Sequence, residues 1–294
     1  MQLSGSIPAL VTPFKSDGGL DLVAFDALLQ WHVDAGSSAV VVGGSTGESG
    51  ALEKLELTAL LAAAVRRLKG RIPIIAGVGA AATAKSAALV RLAHECGADA
   101  VLAVTPYYSR PTQAGLIAHF EALAAGPLPV ILYNVPPRTG VDMLPATVAT
   151  LARHSNIVAV KEAVADQQRW RALIELQNDR FAVLSGDDST AVAAVRDGAR
   201  GLISVAANVL PAAFAELIAA ARDGRTEKAN AIDAMLAPLN AALASAPNPI
   251  AIKAALAHLG RIEDVLRLPL QPLDSALRPA LHAALAAFSA AAAA

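Results

Sequence analysis

The chain has 294 residues, enough for one large domain or two ordinary ones. Hydrophobic residues make up 55% and charged residues 17%, and the formal net charge is -1. That balance, with no block of basic residues, argues against nucleic acid and anionic membranes as partners and favours small metabolites.

The chain opens on Met1-Gln2-Leu3-Ser4-Gly5, which lacks the basic stretch and apolar core of a secretory signal. No uninterrupted apolar stretch is long enough to span a bilayer, so a cytoplasmic protein is expected. Short apolar runs then recur about every thirty residues, at 7–11, 39–42, 72–76, 100–104, 130–133, 157–160, 181–184 and 201–205. Helical periodicity fills the gaps. Leu22, Phe25, Leu28, Leu29, His32 and Val33 share one helix face, with Asp21 as its cap and Gly36 as its stop. Thr83 and Gly97 bracket a second helix in the same way. It holds Cys96, the only cysteine, whose solitude excludes an internal disulfide and a cysteine-based metal site.

Eight strand–helix units of this length predict an α/β fold, a (β/α)8 barrel over residues 1–225. The doubly wound alternative rests on Gly77-Val78-Gly79-Ala80-Ala81-Ala82, a pattern that follows a strand and opens a helix. Its acidic partner fails, because Asp99 precedes the next strand instead of ending it. After Pro211 the strands stop. Residues 226–294 read as a C-terminal helical bundle packed on the barrel, ending in a low-complexity alanine tail expected to fray.

In such a barrel the chemistry belongs at the C-terminal ends of the strands, and the unusual polar motifs fall there. Strand two ends in Gly43-Gly44-Ser45-Thr46-Gly47-Glu48, a turn whose unhindered N–H groups and hydroxyls suit a carboxylate, or simply cap the next helix. All three tyrosines, Tyr107, Tyr108 and Tyr133, stand at strand ends, where phenols can relay protons. Arg138 lies in a proline-rich loop as a candidate carboxylate fork. Asp187 and Asp188 read as a cap for the helix that follows, since no third ligand is near enough for a metal. His32, His94, His119, His154, His258 and His282 show no ligand or triad spacing, and no metal is expected.

Lys161 carries the most information. It ends the apolar run Ile157-Val158-Ala159-Val160. Burial there disfavours its ammonium form, and a neutral amine can attack a carbonyl to form a Schiff base. The alternative is a lysine that snorkels to solvent.

Gly44-Ser45-Thr46-Gly47-Glu48, Thr105-Pro106-Tyr107-Tyr108, Tyr133-Asn134-Val135-Pro136, Val160-Lys161-Glu162 and Gly186-Asp187-Asp188 together resemble the pyruvate-dependent class I aldolase family of dihydrodipicolinate synthases and N-acetylneuraminate lyases. The resemblance covers nearly the whole chain. Tyr107-Tyr108-Ser109-Arg110-Pro111, Arg138-Thr139-Gly140 and the stretch Pro247-Asn248-Pro249-Ile250 with Lys253 are similar to the synthase branch. The resemblance implies a lyase of lysine and diaminopimelate biosynthesis that condenses pyruvate with L-aspartate 4-semialdehyde. It implies Lys161 as the Schiff-base residue and Tyr133, Tyr108 and Ser45 as a proton relay, with Tyr108 reaching a neighbouring subunit. It also implies Thr46 on the pyruvate carboxylate, Arg138 on the second substrate, and backbone at Gly186 and Ile203 along the pyruvate pocket. No cofactor is implied, and the expected assembly is a homotetramer built as a dimer of dimers.

Two departures from the synthase pattern matter. Ser45 stands where the synthase usually has threonine and the lyase branch has serine, which keeps open a Schiff-base lyase for a sugar acid such as N-acetylneuraminate or 2-keto-3-deoxygluconate. A keto-acid sensor without catalysis is a third reading. The positions matching the family's lysine-inhibition site read Lys54, Leu57, Ala81 and Lys85, which predicts weak or absent inhibition by L-lysine.

Overall fold

A computed structural model describes residues 3–293. Eight parallel strands form one sheet: β1 (Gly5–Pro8), β2 (Val40–Val42), β3 (Ile74–Gly77), β4 (Ala100–Val104), β5 (Val130–Asn134), β6 (Ile157–Glu162), β7 (Ala182–Ser185) and β8 (Gly201–Ser204). Their order is β1-β8-β7-β6-β5-β4-β3-β2. The two ends meet through a single parallel bridge, Ala9 to Val41, where Leu10 N–H donates to the Val41 carbonyl at 2.9 Å. The sheet is thus the barrel that the strand–helix beat predicts.

The period-two alternation of strands sorts the core into two layers. Ile7, Val41, Ile75, Leu102, Ile131, Leu184 and Ile203 pack inside the barrel. Their neighbours Val40, Val42, Ile74, Val101, Val130, Leu132, Val183 and Leu202 face outward onto the helices. That outer layer of helices is α1 (Leu22–Asp34), α2 (Lys54–Leu68), α3 (Thr83–Glu95), α4 (Gln113–Ala124), α5 (Pro136–Thr139), α6 (Pro145–Leu151), α7 (Gln167–Ile174), α8 (Ala191–Arg196) and α9 (Pro211–Arg222). Asp21 caps α1 as expected, accepting from Val23 and Ala24 N–H, and Gly36 takes the left-handed φ of 82° that ends it. Gly97 ends α3 in the same conformation, but Thr83 does not cap its start. Ala82 occupies the cap position, and the Thr83 hydroxyl bonds His119 Nδ1 at 2.9 Å instead.

The C-terminal helices are α10 (Thr226–Leu243), α11 (Ile250–His258) and α12 (Arg278–Ala293). Leu239, Ile252, Leu256, Leu281 and Leu285 from these helices form one apolar cluster with Val11, Leu28 and Val209 of the barrel. The alanine tail continues α12 through Ala293, and Ala294 lies outside the described residues. No helix among the described residues is long and apolar enough to cross a membrane.

Candidate active site

Register, and one irregularity in it, aims the central lysine. Val130 pairs with Ile157, but Ile131 pairs with Ala159, so Val158 is an extra residue in β6. A bulge of this kind shifts the inside–outside alternation by one. Ile157 faces the helices, whereas Ala159 faces the barrel interior. Two residues on, Lys161 therefore points into the barrel mouth beside its register partner Tyr133. Lys161 is 4% exposed, and its Nζ lies 4.1 Å from the centroid of the Tyr133 ring. It forms no ion pair among the described residues, and its Nζ is held against an aromatic face.

The next residue on each strand faces away. Asn134 and Glu162, both fully buried, join outside the barrel wall. Glu162 accepts from Asn134 Nδ2 at 3.1 Å, from Val164 N–H at 2.8 Å and from Arg169 Nη1 at 3.1 Å. Arg169 also pairs with Asp142. Burial pushes the Glu162 carboxyl above its ordinary pKa, while these donors pull it back. The network fixes the ends of β5 and β6, and hence the Tyr133–Lys161 pair, from behind.

A cavity of about 480 Å³ opens over Lys161 at the C-terminal ends of the strands. Ser45 and Thr46 form one wall. The turn that carries them is built by Gly47 N–H to the Gly44 carbonyl at 3.0 Å and Glu48 N–H to the Ser45 carbonyl at 3.1 Å. The N–H groups of Ser45 and Thr46 have no protein acceptor among the described residues, which leaves two adjacent donors for an anion. Gly77 and Gly79, the core of the rejected dinucleotide pattern, have a packing role here. A Cβ on Gly77 would sit 2.2 Å from the Gly43 carbonyl oxygen, and one on Gly79 would sit 2.3 Å from a Val104 methyl.

Gly186 brings backbone against the lysine; a Cβ there would lie 3.0 Å from Lys161 Cε. Arg138 stands exposed at the rim, on the α5 turn, and its Nη2 donates to the Asn248 carbonyl at 3.1 Å. Asp187 accepts from Ser189 and Thr190 N–H in the turn that leads into α8. Asp188 does not cap that helix. It is turned toward the end of β8, where it accepts from the Ser204 hydroxyl at 2.5 Å and from Val205 and Ala206 N–H at 3.0 Å.

Six of the eight expected site residues therefore meet around one cavity: Lys161, Tyr133, Ser45, Thr46, Arg138 and Gly186. Two do not. Ile203 is fully buried in the inner barrel cluster, because its place in the middle of β8 puts it below the cavity wall. Tyr108 is 93% exposed with a φ of 70°, and this backbone turns its ring away from the chain's own cavity, which Tyr107 lines instead. Sequence reasoning assigned no role to Asn240, Leu243, Ala244 and Asn248, which close the cavity from the C-terminal helices. Asn248 Nδ2 donates to Thr46 Oγ1 at 3.0 Å. The one available signal was the Pro-Asn-Pro stretch around it.

Comparison with known proteins matches this geometry to a family. A model of the dihydrodipicolinate synthetase family matches residues 2–288. The 4-hydroxy-tetrahydrodipicolinate synthase of Xanthomonas campestris is 50% identical over 281 residues, 95% of this chain and 93% of that protein. The chloride-inhibited dihydrodipicolinate synthase of Acinetobacter baumannii, solved with pyruvate, superposes with a TM-score of 0.96 at 43% identity over 98% of this chain and 99% of that one. The enzyme of Cyanidioschyzon merolae, solved with lysine bound, gives a TM-score of 0.94 at 34% identity over 97% and 98% of the two chains. These relatives carry the synthase's name, so the serine at position 45 does not carry the chain to the sugar-acid lyases. The chain belongs to the dihydrodipicolinate synthetase family.

Proposed function

We propose that this cavity condenses pyruvate with L-aspartate 4-semialdehyde through a Schiff base on Lys161. The activity is that of its relatives, and the residue roles follow from chemistry. The Lys161 amine adds to the ketone of pyruvate and expels water to give an imine. The protonated imine withdraws electrons from the neighbouring methyl carbon, whose proton then leaves to form an enamine. Tyr133, packed under Nζ, is the proton carrier at that carbon and at the aldehyde oxygen. The N–H groups of Ser45 and Thr46 hold the pyruvate carboxylate, and the Ser45 hydroxyl extends the relay.

The enamine carbon attacks the semialdehyde's aldehyde carbon, forming the new carbon–carbon bond. The semialdehyde amine then attacks the imine carbon, closes the ring and releases Lys161 as the free amine. Arg138, at the rim, pairs with the semialdehyde carboxylate as a two-pronged donor. No step calls for a metal or organic cofactor, because the iminium is the electron sink.

The observation that carries this reading is the Lys161–Tyr133 pair inside a cavity walled by unpaired N–H donors. Borohydride reduction in the presence of pyruvate tests it. The reading requires a pyruvyl adduct on Lys161, and an adduct elsewhere or none would overturn it.

The exposed ring of Tyr108 supports its service in the site of a second copy of the chain, within a cytoplasmic homotetramer arranged as a dimer of dimers. Sedimentation and turnover assays of wild type beside Tyr108→Phe test the two parts in turn. The variant should keep the assembly and lose turnover.

A further inference from the structure

The mechanism leaves one buried charged pair unused. Lys253 on α11 and Glu48 after β2 lie 205 residues apart in sequence, yet Lys253 Nζ meets Glu48 Oε1 at 2.6 Å. Their side chains are 0% and 1% exposed. The second Glu48 oxygen accepts the Arg267 backbone N–H at 3.0 Å. Lys253 Nζ and the Arg267 guanidinium each stand over the Phe14 ring, at 4.3 and 4.2 Å. Arg267 itself is tied to Glu56 and to the carbonyls of Gly18 and Ala51.

Such a pair is a poor device for stability. Desolvating two charges costs about what their attraction returns, and apolar side chains would often serve as well. What a buried ion pair supplies is one geometry, because any other leaves a charge unpaired in the interior. Here the geometry concerns a strained place. Glu48 has a φ of 54° and ψ of 41°, left-handed backbone that a residue with a Cβ adopts only when its surroundings enforce it. It lies two residues after Thr46 and closes the turn by donating its N–H to the Ser45 carbonyl. The same C-terminal segment reaches this turn a second time, through Asn248 Nδ2 on Thr46 Oγ1. Thr12 adds a third hold, its hydroxyl donating to the Gly47 carbonyl at 2.7 Å.

We infer that Lys253 and Glu48 are positioning residues, through which α11 fixes the turn whose Ser45 and Thr46 N–H groups receive the pyruvate carboxylate. The inference rests on the pyruvate reading of the cavity. It makes the C-terminal helices part of the pyruvate site, although neither charged group touches substrate.

The test compares Lys253→Met, which strands the Glu48 charge, with the double variant Glu48→Gln, Lys253→Met, which removes both charges and leaves none stranded. Circular dichroism and thermal melting check the fold. The readouts are pyruvate KM, semialdehyde KM, kcat, and the pyruvate dependence of borohydride trapping. In the folded double variant, pyruvate KM should rise about tenfold, with trapping requiring correspondingly more pyruvate, as expected when charge-assisted geometry is lost. The semialdehyde KM, and kcat at saturating pyruvate, should stay within about twofold of wild type. Wild-type pyruvate KM in a folded double variant overturns the inference, as does an equal loss in both substrates. Failure of wild type to trap pyruvate at all is a separate result that removes the functional reading, and this inference with it.

Discussion

Lys161 Nζ lies 4.1 Å from the ring centroid of Tyr133, and the two residues are register partners on adjacent strands. Lys161 would not be so placed without the extra residue at Val158, which sets the parity of the end of β6. Lys161 and the phenol proposed as its proton carrier therefore stand on paired strands and not on a flexible loop, as the proposed covalent site requires.

Gly186 tests how tightly that placement is enforced. A Cβ there would come within 3.0 Å of Lys161 Cε and 3.1 Å of the Glu162 carbonyl oxygen. Relieving this overlap costs about 1–3 kcal/mol or displaces the lysine. Gly186→Ala should trap pyruvate with borohydride about tenfold more slowly while still folding. An unchanged trapping rate would show that the close approach does not matter.

Arg138 should separate the two substrates. Its loss removes a charged hydrogen-bonding fork worth about 1.5–3 kcal/mol, or roughly 10- to 150-fold. Arg138→Ala should lose that factor in kcat/KM for the semialdehyde and still form the pyruvyl adduct on Lys161. Loss of the adduct together with turnover would mean that Arg138 serves the first substrate instead. Its bond to the Asn248 carbonyl gives a small contribution to local order that the same variant also removes.

Acid should unfold the protein partly through His32. Burial pushes this imidazole from 6.5 down to about 3, so it stays neutral in the folded state. The unfolded chain binds its proton near pH 6.5, so the contribution is complete above that value and is lost as pH falls toward 3. His119, pushed down to about 4 by burial, acts in the same direction. Denaturant melts between pH 7 and pH 4.5 should show stability falling with acid, and His32→Gln should remove about one proton from that slope. An unchanged slope would place the acid sensitivity elsewhere.

L-Lysine should neither bind nor inhibit well. Lys54 and Lys85 are exposed, and the family resemblance implies that they stand at lysine-binding positions, where a second ammonium would meet like charge. Isothermal titration and rate measurements with added L-lysine check this, and strong inhibition at sub-millimolar lysine would refute it.

Much of this site is legible in the residues. The eight apolar runs mark eight strands, and the polar motifs that follow them meet over one cavity because parallel strands all end on the same face. The rest depends on relations that no local pattern carries. The bulge at Val158 is a matter of register between two strands, and Val158 looks like any other valine of the run. Tyr107 and Tyr108 are the same residue type side by side, yet Tyr107, 40% exposed, lines the cavity, whereas Tyr108, 93% exposed with a φ of 70°, does not. Asn248 and Lys253 reach the turn after β2 across some two hundred residues, and only the packing of α11 brings them there. Asp188 reads as a cap for α8 and is not one; it accepts from Val205 and Ala206 N–H in the turn after β8 instead.

The proposed reaction joins pyruvate to aspartate semialdehyde through Lys161. The most direct measurement is pyruvate-dependent consumption of the semialdehyde, coupled to a downstream reductase, with wild type beside Lys161→Ala. Wild type should turn over, and a folded Lys161→Ala should lose about three orders of magnitude or more. Turnover that survives in the variant, or a folded wild type that consumes no semialdehyde, would contradict it.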